Sequence, residues 1–156
     1  MILSYLLSSW YSSPMHRLFF SSRVWLGEGT ITFSSSPEQV RFSTKWSPLT
    51  QEEGIWKCQQ LVEMHGHEER QANTYTFTLQ PEQKFHVRLE NEMMGAIEGQ
   101  GVLSDQAIGW ELKGMEGFEG LEIYEEQTDG SYHFRAEFSS GDTFRTLIEG
   151  QVWCAD

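Results

Sequence analysis

The residues QAIGWELKGMEGFEGLEIYEEQTDGSYHFRAEFSSGDTFRTLIEGQVW, from Gln106 to Trp153, read as four consecutive strands: Gln106 to Lys113, Phe118 to Gln127, Ser131 to Phe138 and Thr143 to Trp153. In the third, Tyr132, Phe134, Ala136 and Phe138 alternate with Ser131, His133, Arg135 and Glu137. Period two is the pattern of a strand with one dry and one wet face. The joins (Gly114 to Gly117, Thr128-Asp129-Gly130, and Ser139 to Asp142) are short and rich in turn residues. Strands joined so tightly must run antiparallel, because a parallel crossover needs a dozen or more residues.

Upstream the same grammar repeats. Trp25 to Phe33 opens the sheet, with Gly27 and Gly29 suited to a kinked or bulged strand, and Ser34 to Pro37 turns it. Glu38 to Trp46 sets Val40, Phe42, Thr44 and Trp46 against Gln39, Arg41, Ser43 and Lys45, and Ser47 to Gly54 reads as a loop. Gly54 to Gly66 carries Trp56, Cys58, Gln60, Val62 and Met64 on one side; Glu69 to Leu79 carries Tyr75, Phe77 and Leu79. Lys84 to Asn91 presents Phe85, Val87 and Leu89, and Met94 to Leu103 is interrupted by Gly95, Gly99 and Gly101. Pro14, Pro37, Pro48 and Pro81 all fall at expected turns or before the first strand, which leaves the ladders unbroken. The fold class is therefore all-β: an antiparallel up-and-down β-barrel of about ten strands, with a short N-terminal helical or irregular segment. A barrel removes sticky sheet edges, and hairpin order favours it over a Greek-key sandwich. Ten strands exceed the roughly eight at which side chains just fill the interior, so a cavity is expected.

The 156 residues suit one domain, residues 25–156, preceded by residues 1–24 as a leader or short helix. Met1 to Ser13 is uncharged, with Leu3, Leu6, Leu7, Trp10 and Tyr11 at helical spacing, and is too short to span a bilayer. A packed or interfacial helix is the favoured reading; an export signal and an unordered leader are the alternatives. The formal charge of −12 argues against nucleic acid, whose phosphates it would repel, and disfavours an anionic membrane; its plain reading is a solvated acidic surface. Cys58 and Cys154 make no disulfide framework and read as reduced thiols of a cytoplasmic protein, a single bridge being the alternative.

Trp25-Leu26-Gly27-Glu28-Gly29 at the head of the meander resembles the glycine-tryptophan opening of the calycin superfamily: lipocalins, fatty-acid-binding proteins and nitrobindin-like barrels. The resemblance implies a small barrel holding a hydrophobic ligand. It does not extend to haem, which nitrobindin-like barrels hold through a histidine near the C-terminus, because the last histidine, His133, falls on a charged face. Nor does it extend to the carboxylate grip of fatty-acid-binding proteins: Arg145 is late enough, but Leu147 stands where the tyrosine would be.

The aromatic faces supply the candidate ligand site: Trp46, Trp56, Tyr75, Phe77, Phe85, Trp110, Tyr132 and Phe134, with Gln60, Thr44, Tyr124 and Thr146 as polar anchors. The same aromatics also serve as plain core. If Tyr124 points inward then Glu122 does too, beside Trp110, and a buried carboxyl has a raised pKa; otherwise Glu122 lies in water on an edge-like strand. Glu63, His65, His67, Glu68 and Glu69 are the densest set of metal-ligand types, but they cluster at a hairpin tip, where polar residues gather anyway, and no metal or cofactor is assigned. No Gly-x-Ser-x-Gly elbow and no phosphate loop is present, so no catalytic residue is assigned. The expected function is binding of a small apolar or amphipathic molecule. An isomerase or hydrolase using Glu122 or the His65/His67 group, and a ligand-free interaction module, are the rivals.

Overall fold

A computed structural model describes residues 16–141 and 144–155. Ten strands run in sequence: β1 (Trp25–Phe33), β2 (Ser36–Glu52), β3 (Ile55–Met64), β4 (Arg70–Gln80), β5 (Lys84–Asn91), β6 (Gly95–Leu103), β7 (Ala107–Lys113), β8 (Phe118–Glu126), β9 (Tyr132–Ser140) and β10 (Phe144–Cys154). Each pairs antiparallel with its sequence neighbours, and β1 pairs with β10, from Trp25 opposite Cys154 to Phe33 opposite Thr146, so the barrel closes. The up-and-down order read from the hairpin spacing is the order observed. No described residue is helical; the Met1 to Ser13 segment lies outside the described residues.

β2 corrects two details of the sequence reading. It continues through Ser47 to Glu52, where a loop was expected, and turns only at Glu53-Gly54, both at positive φ (34° and 83°) as a two-residue hairpin turn requires. Two prolines therefore lie inside a strand. They are tolerated because the ladder breaks beside them: the β2–β3 register shifts between Pro48 and Thr50, and the β1–β2 register shifts at Thr32/Phe33, passing over Pro37 and Glu38. Pro37, without a ladder partner, forfeits no ladder hydrogen bond, and Pro48, opposite Cys58, sits at the edge of the bulge that skips Leu49.

The inward phase is apolar and the outward phase charged. Along β2, Phe42, Thr44 and Trp46 are buried while Arg41 and Lys45 are exposed. Outward charges pair, as in Arg70–Glu63 (3.1 Å) and Arg145–Glu137 (3.0 Å) across neighbouring strands. A barrel that spans a bilayer wears an apolar outer band, the reverse of this arrangement. Among the described residues no helix is long and apolar enough to cross a membrane.

Two glycines of β6 stand where a neighbouring strand leaves no room for a side chain. A Cβ on Gly99 would stand 1.7 Å from the Glu111 carbonyl oxygen, and one on Gly101 would stand 2.2 Å from the Phe85 ring. The first obstacle is backbone and cannot swing away. Gly99→Ala is therefore expected to lose about 3 kcal/mol, the upper end of overpacking effects. A urea titration checks this: the midpoint should fall with the slope unchanged. A midpoint equal to the parent's would refute the tight approach.

The described residues ahead of β1 enter the barrel. Leu18, Phe19 and Phe20 are buried in it, at the end where β1 and β3 begin and β6 ends. His16 fixes the entry: its Nε2 donates to the Ser104 carbonyl (2.7 Å). A carbonyl only accepts, so in the neutral ring Nδ1 is the acceptor, taking the Tyr132 hydroxyl proton at 2.6 Å. Leu18, Phe19 and Phe20 thus fill one end of the interior, and the remaining space lies toward the other.

Candidate functional site

The remaining space is a cavity of about 300 Å³ at the end where β1 and β3 finish and β8 begins. Its walls include Ile31, Phe42, Val62, Leu89, Phe118, Phe134 and Phe138, delivered by the inward phase of six different strands. A second depression, on the outer face among β1, β8, β9 and β10, is lined by outward side chains such as Arg135, Glu137 and Glu149 and belongs to the wet surface.

Glu122 forms the polar part of the cavity floor. Strand phase puts it there: in β8, Gly120, Glu122 and Tyr124 are buried while Glu119, Leu121 and Glu125 are exposed. The carboxyl receives two hydrogen bonds on the same oxygen, Oε2, from the Tyr75 hydroxyl (2.9 Å) and the Trp110 Nε1–H (2.9 Å). The Tyr124 hydroxyl is a third, less direct donor. Burial pushes the Glu122 pKa up to about 7, against the opposing pull of those three donors. Burial, then the Glu122 charge, holds the Tyr75 and Tyr124 hydroxyls well above the usual phenol range. Burial also pushes the Cys58 thiol up.

One wall of the cavity carries four carboxamides whose orientation follows from a single fixed donor. The backbone N–H of Met94 donates to Asn91 Oδ1 (2.7 Å), so Asn91 turns its Nδ2 to Asn73 Oδ1 (3.1 Å). That oxygen also accepts from Gln71 Nε2 (3.3 Å). Asn73 must then donate through Nδ2, which it does to Gln60 Oε1 (2.9 Å). The chain ends at Gln60 Nε2, whose two protons have no partner among the described residues. A backbone donor thus orients the whole row and leaves a spare N–H at the cavity wall.

The sequence candidates divide into two groups. Gln60, Tyr75, Glu122, Tyr124 and Phe134 line the cavity, as does Thr146. Trp46, Phe77 and Trp110 instead lie under the inserted segment, with ring centroids 4.6, 5.1 and 5.6 Å from Phe19. Trp56 and Phe85 pack edge-on to Phe20, and Tyr132 binds His16. Thr44 is buried away from the cavity lining, its hydroxyl without a partner among the described residues. Asn73, Gln71 and Asn91 were not singled out from the sequence. The signal for Asn73 was present, because it continues the inward phase of Tyr75, Phe77 and Leu79, and a polar residue on a dry phase marks a site or a network.

The histidine-rich hairpin assembles no such site. His65 Nε2 lies 3.2 Å from the Ser43 hydroxyl and Glu63 pairs with Arg70. Among the described residues no three metal-ligating side chains converge. Cys58 and Cys154 are unbridged, Cys58 buried in β3 and Cys154 accepting a contact from Arg23 Nη1 at 3.8 Å. A scan against models of known protein families finds no match to this chain, and a search of curated protein sequences finds none either.

Proposed function

We propose that this barrel binds a small apolar or amphipathic molecule in the cavity above Glu122, as a calycin-type carrier. The observation that carries the reading is the asymmetry of the interior: one end is filled by Phe19 and Phe20, and the other keeps about 300 Å³ lined by aromatics and aliphatics with a few convergent polar groups. That mixture is how small-molecule sites are built. The space is about twice the ~150 Å³ cavity known to hold benzene. In this reading the partner is a small molecule and not nucleic acid, and the two unbridged cysteines suit the reducing cytoplasm.

The test uses N-phenyl-1-naphthylamine, an uncharged dye that brightens in apolar surroundings. Saturable one-to-one binding is expected, and Ala136→Phe, which fills the cavity beside Glu122, is expected to abolish it while the far-UV spectrum stays that of the parent. Equal binding by the filled variant, or none by the parent, would sink the reading. A second reading has one observation in its favour. A buried carboxyl whose pKa is pushed up to about 7 at the floor of a largely apolar cavity suits proton transfer, so an isomerase working through Glu122 is the rival. Turnover that disappears in Glu122→Gln would select it.

A further inference from the structure

We infer that the ligand is an apolar alcohol or amine, a molecule with a hydrogen-bond-donating head, and not a fatty acid. The inference rests on the cavity being a ligand site and adds the chemistry of what it takes. Among the described residues lining the cavity Glu122 is the one charged group, and neither lysine nor arginine accompanies it. A bound carboxylate would face a carboxyl group with no cation to neutralise either, and like charges in a site of low dielectric repel strongly.

The neighbours of Glu122 make the preference specific. Each group the protein turns to this carboxyl is a donor: the Tyr75 hydroxyl, the Trp110 indole N–H and the Tyr124 hydroxyl. The Trp110 N–H can only donate. A carboxylate offers about four acceptor positions and no donor, so with two bonds on Oε2 room remains for a ligand proton. The wall supplies the complement. Gln60 Nε2, the spare end of the oriented amide row, donates to a ligand oxygen. A hydroxyl head satisfies both groups and an amine satisfies the carboxylate. A carboxylate head satisfies Gln60 only, against Glu122.

The experiment is competition for the bound N-phenyl-1-naphthylamine by four compounds of matched chain, 1-octanol, octylamine, octanoate and octane, on the full chain at pH 8. The alcohol and the amine are expected to displace the dye at concentrations at least about 10-fold below octanoate, the factor of one charge-assisted hydrogen bond. In Glu122→Gln the advantage of octylamine over octanoate is expected to shrink about 10-fold or more. Octanoate competing as well as the alcohol and the amine overturns the inference and leaves the cavity standing as a site. An unchanged ranking in Glu122→Gln overturns the role of that carboxyl. Failure of the dye and all four compounds to bind removes the site itself. The parent protein's ranking is decisive even if the variant does not fold.

Discussion

Phe19→Ala is expected to destabilise the barrel by about 3–5 kcal/mol, although the residue precedes the first strand. Its ring is 6% exposed and is surrounded by four others, with centroids 4.6 Å away on Trp46, 5.0 Å on Tyr124, 5.1 Å on Phe77 and 5.6 Å on Trp110. Removing it leaves a void that rings held by a closed sheet have little freedom to fill. The backbone adds a diagnostic. Phe19 sits at φ 69°, a region that residues with a Cβ occupy at a penalty of roughly 1–2 kcal/mol. Alanine loses the packing and keeps that penalty, whereas glycine loses the packing and is relieved of it. Phe19→Gly is therefore expected to be no less stable than Phe19→Ala, the reverse of the usual order in regular structure. Urea titrations of the three proteins read both effects. A loss below about 1 kcal/mol for alanine would mean that the inserted segment is an accessory and the strands suffice alone.

The same residue marks where sequence reasoning stops. A strand announces itself locally, because its neighbours in sequence alternate between core and solvent; Tyr132 to Phe138 does this and lies in β9 as read. Closure followed from the count of such strands and their short joins. Leu18-Phe19-Phe20 has no period at all, and its place is set by contacts with residues as distant as Trp110 and Tyr124. The end of β2 misled for a different reason: Ser47-Pro48 is turn chemistry, but a register shift beside Pro48 absorbs the missing donor, and nothing within the strand itself signals that shift. For the site, the phase shared with Tyr124 left Glu122 either inward or in water, and the structure buries it. Its partners were legible only as inward aromatics, since the convergence of Tyr75, 47 residues away, and Trp110 on one oxygen is a property of the closed barrel. Six of the eight aromatics turned out to pack against the inserted segment, a division that strand phase cannot make because both groups point inward.

Glu122→Gln is expected to remove a slope from the pH dependence of stability. The carboxyl's pKa in the folded protein is pushed up to about 7, against an ordinary 4.5 once the chain unfolds and water returns. Between those values the native state holds the proton and the unfolded state has released it. More protons bound in the native state means that unfolding becomes easier as pH rises. The contribution is complete below pH 4.5 and is lost as pH rises through about 7. Its size is on the order of 3 kcal/mol, which is roughly 6–12 °C in Tm for a chain of this length. The other titratable groups around the carboxyl do not share this window: Tyr75 on β4 and Tyr124 on β8 are held above the phenol range, and the Cys58 thiol on β3 is pushed up by burial, so all three stay neutral. Surface groups titrate alike in both proteins and cancel in the difference. Glutamine keeps an oxygen for Tyr75 and Trp110 and has nothing to ionise. The parent's stability minus the variant's should therefore fall by about 3 kcal/mol from pH 4 to pH 8, read by thermal melts at matched ionic strength. Parallel curves would mean that Glu122 ionises as it does in water, and with that the cavity floor would lose the carboxyl environment on which ligand selection rests.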